Sequence, residues 1–208
     1  MKFVLFVEGH TEDKALPSFL KRWLDPKLPR PVGIKPVRFT GWAELRREVR
    51  KKARLYLNSR EANDIIAVVA LLDLYGPLIY PAHLSDARQK YAWAKAEIER
   101  EVDHPKFRQF FAVHETEAWL LSRPELLPVD VRSGLPGRVI QPEEVNFNEP
   151  PSKLLDRLYR HKLQRTYKKI VHGKDLFDRL DPADAYQKCP KLKELLDEML
   201  NLAQGSMR

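Results

Sequence analysis

Short, mostly apolar runs recur along the first part of the chain and predict buried strands. Residues 3–7, 65–72 and 107–113 are runs of this kind, rich in β-branched and aromatic side chains. Their length and composition favour strands that are buried on both faces of a sheet. A fourth run, 34–39, carries Pro36, which lacks a backbone donor and therefore predicts a strand at or near the sheet edge.

Between these runs, apolar residues recur at the spacing of one helix face. The pattern predicts helices over 11–24, 42–57 and 85–102, with Thr11 and Ser85 as N-caps of the first and third. Because strands alternate with helices, we expect an α/β fold. Its central sheet should be mostly parallel and flanked by helices on both faces.

The C-terminal part of the chain has a different pattern. Residues 123–151 are rich in proline and lack clear periodicity, which predicts a long loop, with a short helix over 142–145 as an alternative within it. Helical patterns return over 153–163, 176–180 and 190–202. We therefore predict an α/β core over residues 1–123, and a loop and basic helical extension over 124–208 that packs on the core as one globular unit.

Acidic residues follow the three core runs. They are Glu8, Asp73, Glu115 and Glu117. Because the carboxyl ends of parallel strands share one edge of a sheet, we expect these carboxylates to converge there and to bind Mg²⁺ or Mn²⁺. Structural roles remain as alternatives: a surface acid before a turn glycine for Glu8, a cap for Asp73, and compensation of a helix dipole for Glu115 and Glu117.

The first strand-end acid lies in a recognisable motif. Val7-Glu-Gly-His-Thr-Glu12 resembles the opening motif of TOPRIM domains, in which a strand-end glutamate and acids from a later strand hold magnesium. The second TOPRIM motif has two aspartates separated by one residue, and here Asp73 is followed by Tyr75. Either another acid, Glu115 or Glu117, replaces the missing ligand, or the site holds metal weakly.

Further segments extend the resemblance over nearly the whole chain. They are Glu117-Ala-Trp-Leu-Leu121, Pro151-Ser-Lys-Leu-Leu155, Tyr167-Lys-Lys-Ile-Val-His-Gly173 and Cys189-Pro-Lys-Leu192. With the opening motif, they resemble an uncharacterised family of TOPRIM-like prokaryotic proteins, often encoded beside ATPases and related to nucleases of the overcoming-lysogenization-defect (OLD) type. The resemblance implies a TOPRIM-like core, nucleic-acid cleavage in defence or DNA processing, and a partner ATPase. Those nucleases use a lysine that follows the acidic motifs in the chain. By its order in the chain and its basic surroundings, Lys168 or Lys169 corresponds to that lysine.

The charge balance points to an anionic partner. The net charge is +8, which favours nucleic acid, although a merely soluble basic surface is the alternative. The resemblance implies DNA ahead of RNA as this partner. The candidate phosphate contacts are Arg46, Arg50, Lys153, Arg157, Lys168 and Lys169.

Cysteine content and hydropathy bear on location. The lone cysteine, Cys189, has no internal disulfide partner, which is typical of a reducing compartment. No apolar run approaches the roughly 18 residues of a membrane span, and the N-terminus has no signal-peptide pattern. We expect a cytoplasmic protein with no membrane partner, and the sequence leaves its oligomeric state open.

Two functions follow from these residues. The first is a magnesium-dependent nuclease in which the acids hold metal and Glu8, Lys168 and Lys169 are the catalytic candidates. The second is a non-catalytic subunit that binds nucleic acid or an ATPase and has a degenerate metal site, as Tyr75 suggests. Nucleotidyl transfer, as in primases, would use the same site. The sequence has no P-loop, zinc-ligand spacing, Ser-His-Asp signature or Rossmann glycine pattern.

Overall fold

A computed structural model of the chain describes residues 1–144 and 149–207. Its strands form one parallel sheet in the order β2-β1-β3-β4. They are Lys2–Val7 (β1), Gly33–Arg38 (β2), Ile65–Asp73 (β3) and Phe107–Ala112 (β4). The predicted α/β class, with a parallel sheet flanked by helices, is confirmed.

Helices connect the strands and form the C-terminal part. The α-helices are His10–Leu24 (α1), Trp42–Leu57 (α2), Ala87–Val102 (α3), Glu117–Leu120 (α4), Val129–Ser133 (α5), Pro151–Leu163 (α6), Lys174–Arg179 (α7), Pro182–Lys188 (α8) and Pro190–Gly205 (α9). A π-helix spans Lys169–Gly173, and short 3₁₀ segments lie at Asp25–Lys27, Ala62–Asp64, Pro124–Leu126, Gly137–Ile140 and Pro142–Glu144.

The sheet separates two apolar layers. Alternate residues of β1 enter different layers, because successive side chains of a strand point to opposite faces. Phe3, Leu5 and Val7 pack with α1 and the C-terminal helices, whereas Val4 and Phe6 pack with α2 and α3. The C-terminal helices thus share a core with α1 and the sheet, while the predicted division of the chain at residue 123 stays a prediction.

Strand positions follow from the apolar runs. β1 and β3 are central, and every residue of β3 is buried. β2, which contains Pro36, lies at an edge of the sheet and pairs with β1.

Some local predictions were wrong. Helix α1 begins at His10, and Thr11 is buried instead of serving as N-cap. Helix α3 is capped by Asp86, whose carboxylate accepts a 2.7 Å hydrogen bond from the Gln89 N–H, and not by Ser85. The predicted loop after residue 123 contains α5 and several 3₁₀ turns in its described part, since helices this short cover too little chain to show a period. Of the short helix offered over 142–145, Pro142–Glu144 forms a 3₁₀ turn, and residue 145 lies outside the described residues.

No helix within residues 1–144 and 149–207 has both the length and the apolar character that crossing a membrane requires.

Candidate metal centre

The acidic site lies at the carboxyl edge of the sheet. Asp73 is the last residue of β3 and is paired in register with Ala112 on β4. The pairing continues past the strands, because the Tyr75 N–H donates to the His114 carbonyl over 2.9 Å. This extension carries the chain after β4 alongside Asp73 and brings Glu115 to it.

Three carboxylates meet at this edge. One oxygen each from Asp73, Glu115 and Glu117 lies within 4.8 Å of the other two. The three residues are 7%, 6% and 0% exposed. Buried carboxylates this close repel one another unless protons or a cation neutralise them. We call this set the acidic triad.

Hydrogen bonds hold two members of the triad in place. The Thr116 N–H donates to Asp73 Oδ1 over 2.9 Å. Ser152, near the start of α6, donates its N–H to Glu115 Oε2 over 2.8 Å and its hydroxyl to Glu115 Oε1 over 3.0 Å. The C-terminal part of the chain therefore orients an acid that follows β4.

Lys169 supplies a positive charge to the triad. Its ammonium donates to Glu117 Oε2 over 3.1 Å and lies 3.5 Å from Glu115 Oε1. Burial disfavours its charged form, but Glu117, Asp73 and Glu115 outweigh that effect and raise the Lys169 pKa. Lys168, the other candidate, is exposed. Its backbone N–H donates to His172 Nδ1 over 2.9 Å. Of the two lysines, Lys169 is the one whose ammonium contacts the triad in the described structure.

Close packing positions Lys169. Gly173 ends the π-helix and lies against Tyr167 and α1. A Cβ at Gly173 would lie 3.0 Å from the Tyr167 hydroxyl oxygen and 3.3 Å from Thr11 Cγ2. The Tyr167 ring is buried and packs on Tyr159. The π-helix is thereby held against α1 with its first residue, Lys169, directed at the triad.

Two further acids adjoin the triad. Glu8, just after β1, is half-buried, and its Oε2 has no hydrogen-bond partner among the described residues. It lies outside the set of three whose oxygens are mutually within 4.8 Å in the described structure. Glu12 is buried on α1 and accepts a 3.2 Å hydrogen bond from the Thr116 hydroxyl. Glu12 was recognised from the sequence only as the last residue of the motif that begins at Val7 and not as a candidate site residue.

The accumulated charge shifts several pKa values upward. Burial, followed by the charge of Glu12, raises the pKa of Glu8 to about 7. Burial raises the pKa of Glu117 to about 7, against the opposing charge of Lys169. Burial, with Glu12 and Glu8 adding to it, also raises the pKa of Asp73. Near neutral pH the site therefore holds protons, which a bound cation would displace.

The basic candidates on α2 lie on the other side of the sheet from the C-terminal helices. Helix α2 packs on the opposite face of the sheet from α6. Arg46 is ion-paired with Glu101 of α3, whereas Arg50 is exposed. The structure therefore separates Arg46 and Arg50 from the lysines and arginines of the C-terminal helices.

The basic candidates on α6 lie beside the triad. Lys153 directly follows Ser152, which binds Glu115, and is exposed. Arg157 is one helical turn further along and is paired with Glu149 through hydrogen bonds of 2.9 and 2.5 Å.

Tyr75 stands where the TOPRIM resemblance leads one to expect a second aspartate. The residue is 46% exposed, and the Lys153 ammonium lies 6.0 Å from its ring centre. The carboxylates that accompany Asp73 in the triad come from the segment after β4 instead.

Comparisons with known proteins agree with this fold. The family model for DUF4276, a domain of unknown function, matches residues 7–200. The C-terminal region of the Burkholderia pseudomallei OLD protein superposes with a TM-score of 0.51 at 18% identity, covering 97% of this chain and 98% of that chain. The C-terminal region of the Xanthomonas campestris pv. campestris OLD protein gives 0.45 at 18% identity, covering 98% and 94%. No curated protein matches the sequence. The predicted relationship to an uncharacterised family and to OLD proteins is confirmed, and the likeness at this identity is one of fold.

Proposed function

We propose that this chain, which belongs to the DUF4276 family, is a nuclease that cleaves nucleic-acid phosphodiesters with the help of Mg²⁺ or Mn²⁺. The observation that carries the proposal is the acidic triad, whose oxygens from Asp73, Glu115 and Glu117 lie within 4.8 Å of one another. The fold shared with the B. pseudomallei OLD region supports it.

The donor set of the triad suits a hard divalent cation. All three residues offer carboxylate oxygens, the ligand type that Mg²⁺ and Mn²⁺ prefer. The Oε1 atom of Glu117 is buried without a hydrogen-bond partner among the described residues. Asp73, Glu115 and Glu117 would hold the cation, with Glu8 beside them. A bound cation would activate water and offset the charge that develops on the phosphoryl group.

Residues of the chain itself would provide the remaining chemistry. Lys169, held as a cation by its acidic neighbours, would stabilise negative charge on the phosphate oxygens. Glu8 is half-buried beside the triad and its Oε2 has no hydrogen-bond partner among the described residues, so it would accept a proton from an attacking water. Lys168 is too exposed for either role and would contact phosphates outside the site, together with Lys153 and Arg157.

Other parts of the proposal rest on the resemblance alone. They are a role in defence or DNA processing, the preference for DNA over RNA, and a partner ATPase. Arg46 and Arg50, on the far face of the sheet, would contact such a substrate only if it wrapped around the molecule.

The test is cleavage of DNA and RNA by the purified protein with Mg²⁺ or Mn²⁺, beside Asp73→Asn and Glu8→Ala. The matched control is Asp103→Asn, since Asp103 is exposed and has a left-handed backbone conformation (φ 50°) that asparagine accepts. We expect cleavage to be lost in Asp73→Asn and kept in the control. Equal cleavage by the wild type and Asp73→Asn would reject the proposal.

A non-catalytic binding subunit is the second candidate, and one observation favours it. Lys169 already partly neutralises the triad through contacts with Glu117 and Glu115. Calorimetric titration with Mn²⁺ separates the two functions. Heat that vanishes in Asp73→Asn favours the nuclease, whereas no binding at millimolar metal favours the binding subunit.

A further inference from the structure

An exposed aromatic side chain lies close in the chain to the acidic triad. Tyr75 lies two residues after Asp73 and is 46% exposed. Its backbone is fixed, because its N–H donates to the His114 carbonyl, one residue before Glu115. Gly76 follows with a φ of 113°, a conformation that glycine adopts readily, and turns the chain away.

The apolar core does not account for this ring. Tyr75 belongs to neither of the two apolar layers in the described structure, although Ile79 and Tyr80 from the same loop pack against one of them. The Tyr80 hydroxyl donates to the Leu74 carbonyl over 2.8 Å, a structural role. The Tyr75 ring is thus left exposed beside the candidate metal ligands.

A positive charge lies next to the ring. The Lys153 ammonium is 6.0 Å from the ring centre, at the outer limit of a cation–π contact. Lys153 has no ion pair among the described residues, so its charge remains free for an anion. Lys153 directly follows Ser152, whose N–H and hydroxyl donate to Glu115, so the backbone of α6 holds Lys153 near the triad.

Helix α6 continues this positive surface away from the triad. One shallow groove runs along this helix and is lined by Lys153, Asp156, Arg157, Arg160, His161 and Gln164. Asp156 pairs with Arg160, and Glu149 pairs with Arg157. From Lys153 to Arg160 the groove extends about 10 Å along the helix axis at 1.5 Å per residue. A nucleic-acid backbone that passes Tyr75 therefore meets Lys153 first, which has no ion pair among the described residues, and then arginines whose charge is partly offset by Glu149 and Asp156.

From this arrangement we propose that Tyr75 stacks on an unpaired base while Lys153 contacts an adjacent phosphate, so that the substrate is a single strand or a frayed end. A flat aromatic side chain beside a basic groove is the combination that binds single strands without reading their sequence. In an intact duplex the base faces are covered by neighbouring bases, so the ring has nothing to stack on. This inference rests on the proposed function and specifies its substrate.

The test is binding of a short oligothymidine carrying one 2-aminopurine, whose fluorescence falls when it stacks. The full-length protein is used with Ca²⁺ in place of Mg²⁺, and a gel verifies that the strand stays intact. We expect wild type and Tyr75→Phe to quench the probe. Tyr75→Leu should lose the quenching and bind the strand about tenfold more weakly, within the range for one base–aromatic stack. Binding of a covalently closed circular duplex, which has no ends, should not change in Tyr75→Leu.

Lys153 has its own matched control on the same helix. Lys162 is also exposed, and at nine positions from Lys153 it lies on the opposite face of α6. We expect Lys153→Gln to reduce the salt dependence of strand binding by about 0.7 in log–log slope, the value for one phosphate on a single strand. Lys162→Gln should leave the slope unchanged.

Failure of this inference is distinguishable from failure of the nuclease proposal. If Tyr75→Leu binds the strand as tightly as the wild type, or loses strand and duplex affinity equally, the stacking role is wrong even if duplex DNA is cleaved. If the probe is quenched through Tyr75 but no nucleic acid is cut with Mg²⁺ or Mn²⁺, the strand-binding surface stands and the nuclease fails.

Discussion

Replacing Glu117 with glutamine should stabilise the metal-free protein at alkaline pH. Glu117 is fully buried, and its pKa rises from 4.5 to about 7, chiefly because burial disfavours the charged form. Between these two values the folded protein holds more protons than the unfolded chain. The free energy of unfolding therefore falls as pH rises through this range, and the loss is complete above the folded pKa.

The size of the effect follows from the shift. A change of about 2.5 pKa units corresponds to about 3 kcal/mol at 1.36 kcal/mol per unit, an upper bound because neighbouring acids titrate together. Glutamine keeps the shape of the side chain but never ionises. We expect Glu117→Gln to be more stable than the wild type by about 1–3 kcal/mol at pH 8, and by much less at pH 5.

The assay is urea denaturation at pH 5 and pH 8 in the presence of EDTA. Glu125→Gln is the control, because Glu125 is exposed and should change stability by less than about 0.5 kcal/mol at either pH. A Glu117→Gln protein that is destabilised equally at both pH values would show that Glu117 is not buried as a strained anion. The same variant should bind Mn²⁺ more weakly, since a ligand of the triad is lost.

Two more substitutions test the packing around the site. Lys169→Met should destabilise the metal-free protein at pH 8 by about 1–3 kcal/mol, because it leaves buried carboxylates without a partner, while the 39% exposure of the Lys169 side chain keeps the cost below that of a fully buried pair. Lys168→Met should be nearly neutral. Thermal unfolding of both variants in EDTA measures this, and similar losses would contradict the assigned position of Lys169. Gly173→Ala should lower the free energy of unfolding by about 1–3 kcal/mol, since the added Cβ would crowd the Tyr167 hydroxyl and Thr11. An unchanged urea midpoint would show that the π-helix shifts to accommodate a methyl group.

Stability and function oppose each other at this site. The triad brings negative charges together in a buried site. In the metal-free protein, bound protons or the Lys169 ammonium must compensate for these charges. Such a site gains stability when a cation binds the folded state alone. The strain on Asp73 and Glu117 is therefore consistent with a binding role for these acids.

The positions of the strands, and which of them are buried on both faces, were predictable from the sequence. Periodicity and composition report burial directly, because a strand covered on both faces must be apolar throughout. Pro36 correctly indicated an edge strand, since proline has no backbone N–H to donate to a neighbouring strand. The acids that follow the core runs were also visible as candidates, because parallel strands end at one edge of the sheet.

Only the tertiary structure decided how those candidates are used. Local sequence does not show which of Lys168 and Lys169 points inward, because the choice depends on the π-helix and on Gly173 packing against α1. Glu12 reads as an ordinary first-turn acid until α1 is docked beside Thr116. Glu115 is oriented by Ser152, which is 37 residues further along the chain. Sequence patterns report which residues are buried and in which elements, whereas distances between side chains of remote segments are set by how those elements pack.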